Sequence, residues 1–170
     1  VNLKSLSQTL SLDPRIDKVL GSGKISIEGL SGSSAALFYS ALFLRSGKPL
    51  IIVSQNAHEL SNDIKAFAGN DNVSHFPSWD TFPTEDISPS KELVGERMKI
   101  LDRLIQGEKL IITATPRSVA TRVIPKEVLS KNSIRLQVAT SSIKRDVLIE
   151  QLVKIGFKRR DIVGERGEFS

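Results

Sequence analysis

Residues 29 to 37 read Gly-Leu-Ser-Gly-Ser-Ser-Ala-Ala-Leu and follow the run Lys24-Ile25-Ser26-Ile27-Glu28. A strand, a glycine-rich turn and a helix in that order frame a phosphate-binding loop, where backbone N–H groups at the helix start cradle phosphate. Such a loop also needs a lysine to reach the terminal phosphates and a Ser or Thr hydroxyl to hold magnesium. Ala35 and Ala36 stand in those two places, and Ser34 stands where the last glycine would be. Losing the charge-assisted phosphate contact alone costs about 1.5–3 kcal/mol. Gly29 and Gly32 still permit the turn. The stretch reads as a decayed phosphate loop, with a plain glycine-rich helix cap as the simpler alternative. Neither binds ATP, and no cofactor is expected.

Other reactive side chains are weighed against ordinary structural roles. Asp80, Glu85 and Asp86 are carboxylates that could pair for acid–base or metal chemistry. Each sits beside Pro or Ser in a polar stretch, where turn and cap roles are the commoner use. His58 and His75 lack a cysteine or a spaced partner, so no metal site is expected. No Gly-x-Ser-x-Gly nucleophile pattern occurs. Trp79 with Phe76 and Phe82 could stack on bases, or could pin a long loop to a sheet edge, which is the preferred reading. Arg159, Arg160 and Arg166 form a basic cluster that charge alone describes as a solvated face.

These residues must be positioned by regular elements. Two short helices are expected before Gly21, with Asp13-Pro14 as cap and first turn. A strand over 24–28, a helix from about Ser34 to Arg45 and an apolar strand Leu50-Ile51-Ile52-Val53 follow. Then come a helix over 57–67 and a strand over 73–76. The connection PSWDTFPTEDISPS is too polar and too broken for regular structure. Ser88-Pro89 is expected to cap the next helix, whose Val94, Met98, Leu101 and Ile105 fall on one stripe. A strand over 110–113 and a helical turn at Thr115-Pro116 complete the series. This alternation predicts an α/β fold, a doubly wound and mainly parallel sheet. After Pro125 an alternating strand, Ile134 to Val138, a helix ending at Gly156 and short strands predict the start of a small α+β module.

The composition suits that frame. Of 170 residues, 39% are apolar and 25% charged, and there is no cysteine, which excludes disulfide scaffolds and thiolate metal sites. The longest apolar runs are strand-sized, and no secretory signal is visible, so a cytoplasmic location is expected. Net charge is uneven: residues 1–90 carry 7 Lys/Arg against 9 Asp/Glu, and residues 91–170 carry 17 against 10. The basic second half suits nucleic acid, an acidic protein, or only solvent.

Four stretches, GLSGSSAAL, FPSWDTFPTEDISPSKELVGERMKIL, LIITATPRSV and LVKIGFKRRDIVGERGEFS, occur in an order and spacing that resemble the N-terminal region of bacterial transcription-repair coupling factors (Mfd). That region is similar to the damage-recognition protein UvrB, and the resemblance covers roughly residues 20 to 170. UvrB carries an intact loop ending in Lys-Thr and a long Tyr-rich insertion. The compact stretch between Phe76 and Lys91 has no Tyr, so both departures favour the coupling factors over a UvrB-like ATPase or another P-loop ATPase.

The resemblance implies a degenerate RecA-like domain over residues 1–125, with Gly29, Gly32, Ser34, Ala35 and Ala36 as its retired phosphate loop. It implies that residues 126–170 open a UvrA-binding module, continuing beyond Ser170, and places Arg159, Arg160 and Arg166 in that module. No catalytic residue is expected in this region. DNA and RNA polymerase would be handled by other parts of the parent protein, an ATP-dependent translocase.

Overall fold

A computed structural model describes residues 2–82, 86–136 and 143–170. Two short helices open it, α1 (Leu3–Ser11) and α2 (Pro14–Gly21). Asp13 caps α2 by accepting the Arg15 N–H, with Pro14 at the first turn. The Arg15 guanidinium bonded to Asp13 draws its carboxyl down to about 2. Helix α3 (Ser33–Ser46) ends where Gly47 turns left-handed at φ 58°, a conformation glycine adopts without steric cost.

The remaining elements alternate: β1 (Leu50–Val53), α4 (Ala57–Ala68), β2 (Val73–Phe76), α5 (Lys91–Ile105) and β3 (Ile111–Ala114). They are followed by α6 (Pro116–Ala120), α7 (Lys126–Asn132), α8 (Arg145–Lys154), β4 (Lys158–Arg159) and β5 (Glu168–Phe169). Strand β3 lies at the centre of a parallel sheet ordered β1-β3-β2, with both Leu50 and Val73 in register with Ile111. A second parallel pair joins β4 to β5.

Helices cover both faces of the larger sheet, the doubly wound arrangement. On one face Ile52, Val73 and Ile111 pack with Ala36 and Phe43 of α3 and Ile64 and Phe67 of α4. On the other, Phe76, Ile112 and Ala114 pack with Ile100 of α5. Ile16 of α2 closes a third cluster against Ala41 and Leu42 of α3. Each such aliphatic side chain, fully buried, contributes about 1.5–3 kcal/mol. Ser7 ties α1 to this core by donating to the Phe67 carbonyl at 3.0 Å. Among the described residues no helix is long and apolar enough to cross a membrane.

The structure differs from the sequence reading at four places. Residues 24–28 join no sheet, and Ile25 and Ile27 are both exposed. A strand needs a ladder, and these residues pair with neither of the two open edges of the sheet, those of β1 and β2. The α5 stripe is rotated: Arg97 and Ile100 are its buried residues, while Val94, Met98, Leu101 and Ile105 are half-buried. The α5 cap is Ser90, not Ser88. Its hydroxyl accepts from Leu93 N–H at 3.4 Å, and its own N–H donates to Asp80. Finally, Ile134 to Leu136 form no strand, while the rest of that expected strand lies outside the described residues; helix α7 stands just before it.

Candidate functional site

The glycine-rich turn leads directly into helix α3, although no strand over 24–28 precedes it. Gly29 and Gly32 have φ of 81° and 52°, left-handed values that a side chain would strain. Helix α3 begins directly after Gly32, which supplies no side-chain cap. The loop is then closed on itself: Ser34 Oγ accepts from Ser31 N–H at 2.9 Å and donates to the Ser31 carbonyl at 2.6 Å. One amide that could face an anion is thereby consumed.

The two alanines part company. Ala36 is fully buried in the core against the sheet. Ala35 lines a cavity of about 330 Å³ at the end of β1, together with Tyr39, Asn56, Glu59 and Asp63. Neither a lysine nor an arginine is among the residues lining it, whereas two carboxylates are. An anionic rim opposes a polyphosphate by like-charge repulsion.

The aromatic loop is organised by a residue that no sequence motif singled out. Arg97 is 1% exposed. Its guanidinium lies 4.0 Å from the Phe76 ring centroid and 4.2 Å from that of Trp79. It donates to the Pro77 carbonyl at 2.7 Å and to Thr121 Oγ1 at 3.0 Å, while Nε has no partner among the described residues. Burial lowers its pKa. Trp79 thus pins the loop through a buried cation. Phe82 is exposed beneath Arg117, whose Cζ stands 4.4 Å from the ring centroid. Asp80 serves the α5 start, Asp86 is exposed, and Glu85 lies outside the described residues.

His58 and His75 meet edge to face, with centroids 5.4 Å apart, in a cleft between α4 and α5. His75 Nδ1 is 3.3 Å from Thr113 Oγ1. Burial first, then the charges of His58 and Lys65, lower the His75 pKa, partly opposed by Glu96. No group of three His, Asp or Glu side chains able to hold a metal converges among the described residues.

The three arginines occupy the loop between β4 and β5 and its edges. Arg159 is exposed and has no ion-pair partner among the described residues. Arg160 Nε stands 3.3 Å from Glu168 Oε1. The same Glu168 carboxylate accepts the Gly164 and Glu165 N–H groups at 3.1 and 3.2 Å. Those backbone bonds, Gly164 foremost, with the Arg160 bond, lower its pKa against a smaller opposing effect of desolvation. Glu168 therefore shapes the turn that carries the cluster. Arg166 reaches Glu92 at 3.4 Å, and Lys91 reaches Glu165 at 2.8 Å. Both contacts join the loop to the first turn of α5. A separate cleft of about 700 Å³ lies between α7 and α8 and contains none of the candidate site residues.

The fold defines a class: a parallel α/β domain whose glycine-rich turn leads directly into helix α3, with Ala35 and Ala36 in the first turn of that helix. No protein-family profile matches the chain. The transcription-repair-coupling factor of Bacillus subtilis is 31% identical over 147 residues, 85% of this chain and 12% of that protein. The proteins of that name from Staphylococcus epidermidis and Staphylococcus aureus strain USA300 are 28% and 26% identical over 158 residues, 91% of this chain and 13% of theirs. The chain is a homologue of a segment of the transcription-repair-coupling factors, as the sequence resemblance implied. It spans only 12–13% of the length of these relatives.

Proposed function

We propose that this chain is a non-catalytic docking region of a transcription-repair coupling factor that recruits UvrA to stalled RNA polymerase in nucleotide excision repair. In this reading residues 1–125 are a RecA-like scaffold with a retired phosphate loop, and residues 126–170 open the UvrA-binding module. DNA translocation, ATP hydrolysis and polymerase contact belong to other regions of the parent protein, which works in the cytoplasm.

The observation that carries the non-catalytic part is the burial of Ala36 in the core beside a cavity rimmed by Glu59 and Asp63. A magnesium-binding hydroxyl at 36 would have to leave the core, and phosphates would meet two carboxylates. The UvrA part is supported by the family likeness and by the exposed Arg159, Arg160 and Arg166. Arginine suits such a surface because its planar fork pairs carboxylates and its face stacks.

Calorimetry with magnesium and ATP tests the first part, and titration of UvrA the second. No saturable heat at millimolar nucleotide and a measurable UvrA complex are the expected results. A micromolar ATP dissociation constant, about −8 kcal/mol, would overturn the reading of a retired phosphate loop.

A further inference from the structure

We infer that Glu92 is an internal competitor of the docking partner: in the free chain its carboxylate holds Arg166 where an acidic side chain of the partner does in the complex. This rests on the reading of the arginine cluster as partner-facing. Two neighbouring residues of α5, Lys91 and Glu92, pair crosswise with two neighbouring residues of the loop, Glu165 and Arg166. The pairs close over 74 residues of sequence.

Arg166 also rests against the surface of α5. Gly95, one turn after Glu92, lies under its guanidinium, and a Cβ there would stand 3.6 Å from Nη1. A glycine within a helix costs about 1 kcal/mol relative to alanine. This one has φ in the ordinary helical range, so no turn requires it. A methyl group there would make only ordinary van der Waals contact with the arginine, so the glycine permits this placement without being required by it.

The hold is also weak enough to be displaced. Arg166 and Glu92 side chains are 62% and 68% exposed, and their single contact is long at 3.4 Å. Exposed pairs of this kind contribute little and are screened by salt. A carboxylate that engaged both arms of the fork would be the better partner. Arg160 is anchored by Glu168 and Arg159 is open, so a partner would meet Arg159 first and gain Arg166 only by displacing Glu92.

The test uses the whole chain with two probes, UvrA and a hexaglutamate peptide, at low and raised salt. Glu92→Gln is expected to tighten binding of both by about two- to fivefold at low salt, with the gain shrinking as salt rises. In an Arg166→Gln background the same change should alter nothing. Peptide tightening without any UvrA complex would leave the competitor in place and remove the UvrA reading. UvrA binding that Glu92→Gln leaves unchanged or weakens would overturn the competitor while sparing that reading. Absence of binding to either probe by every variant, each folded by circular dichroism, overturns both.

Discussion

The guanidinium of Arg97 lies between the rings of Phe76 and Trp79, which makes a buried cation the link between α5 and the loop after β2. Two hydrogen bonds, to Pro77 and Thr121, fix its plane. Desolvation penalises the charge, and the ring faces offset part of that penalty by about 2 kcal/mol. Arg97→Ala is therefore expected to destabilise the chain by about 2–4 kcal/mol. Lysine should not rescue it, because an ammonium cannot reach both acceptors while lying flat between two rings. Urea denaturation followed by fluorescence reports this directly, since Trp79 is the only tryptophan. A loss under 0.5 kcal/mol, the usual size for an unremarkable surface change, would remove Arg97 from this role.

Restoring the phosphate-loop residues should harm the fold rather than create a nucleotide site. Ala36 has no exposed surface, so Ala36→Thr forces atoms into a packed core, at about 1–3 kcal/mol. Ala35→Lys faces the cavity and should be tolerated. The double variant is expected to melt at a lower temperature and still give no ATP heat by calorimetry. An ATP-dependent rise in melting temperature would contradict it.

Stability should fall on mild acidification through His75. Its pKa is lowered in the fold, so the unfolded chain binds the proton more readily. The contribution is fully present above the unfolded value of about 6.5 and is lost as pH falls below it toward the folded value. The ring is only half-buried, so the slope should be well below the ~1.4 kcal/mol per pH unit of one fully coupled proton. Denaturation midpoints between pH 7.5 and 5 should fall less in His75→Phe, and somewhat less in His58→Gln, which removes one opposing charge. Identical pH profiles for all three proteins would exclude this titration.

Glu168 should prove necessary for the shape of the arginine-bearing turn. Its carboxylate accepts two backbone N–H groups and meets Arg160. Glu168→Ala is expected to speed amide exchange at Gly164 and Glu165 while leaving the β1-β3-β2 sheet protected. Because its folded pKa is lowered, the hold is present above the unfolded pKa and is lost as pH falls through the folded one. Unchanged exchange at both amides would show that the turn forms without it.

The triple change Arg159→Glu, Arg160→Glu and Arg166→Glu is expected to weaken UvrA binding by more than tenfold, about 1.4 kcal/mol. Circular dichroism should show an intact fold, since all three side chains are exposed. A folded triple variant that binds as tightly as the parent would make the cluster a solvated face.

Much of the architecture was legible along the chain because its signals are local. Pro14 after Asp13, Gly47 after Arg45 and the apolar run at 50–53 act through backbone geometry and burial within a few residues, and each marks the element observed. That positions 35 and 36 hold alanines, with neither a lysine nor a hydroxyl, was equally legible, because it is a matter of residue identity alone. Pairing and packing were not. Residues 24–28 have a strand's composition yet pair with neither open edge of the β1-β3-β2 sheet. Arg97 breaks the apolar pattern of α5, and only the approach of Phe76 and Trp79 makes its burial affordable. The crossed contacts of Lys91 and Glu92 with Glu165 and Arg166 join residues far apart in sequence, so no local pattern could contain them. Periodicity decides which segments are helical or extended; which of them meet, and which charges they bring together, is decided by the competition of all the faces for burial.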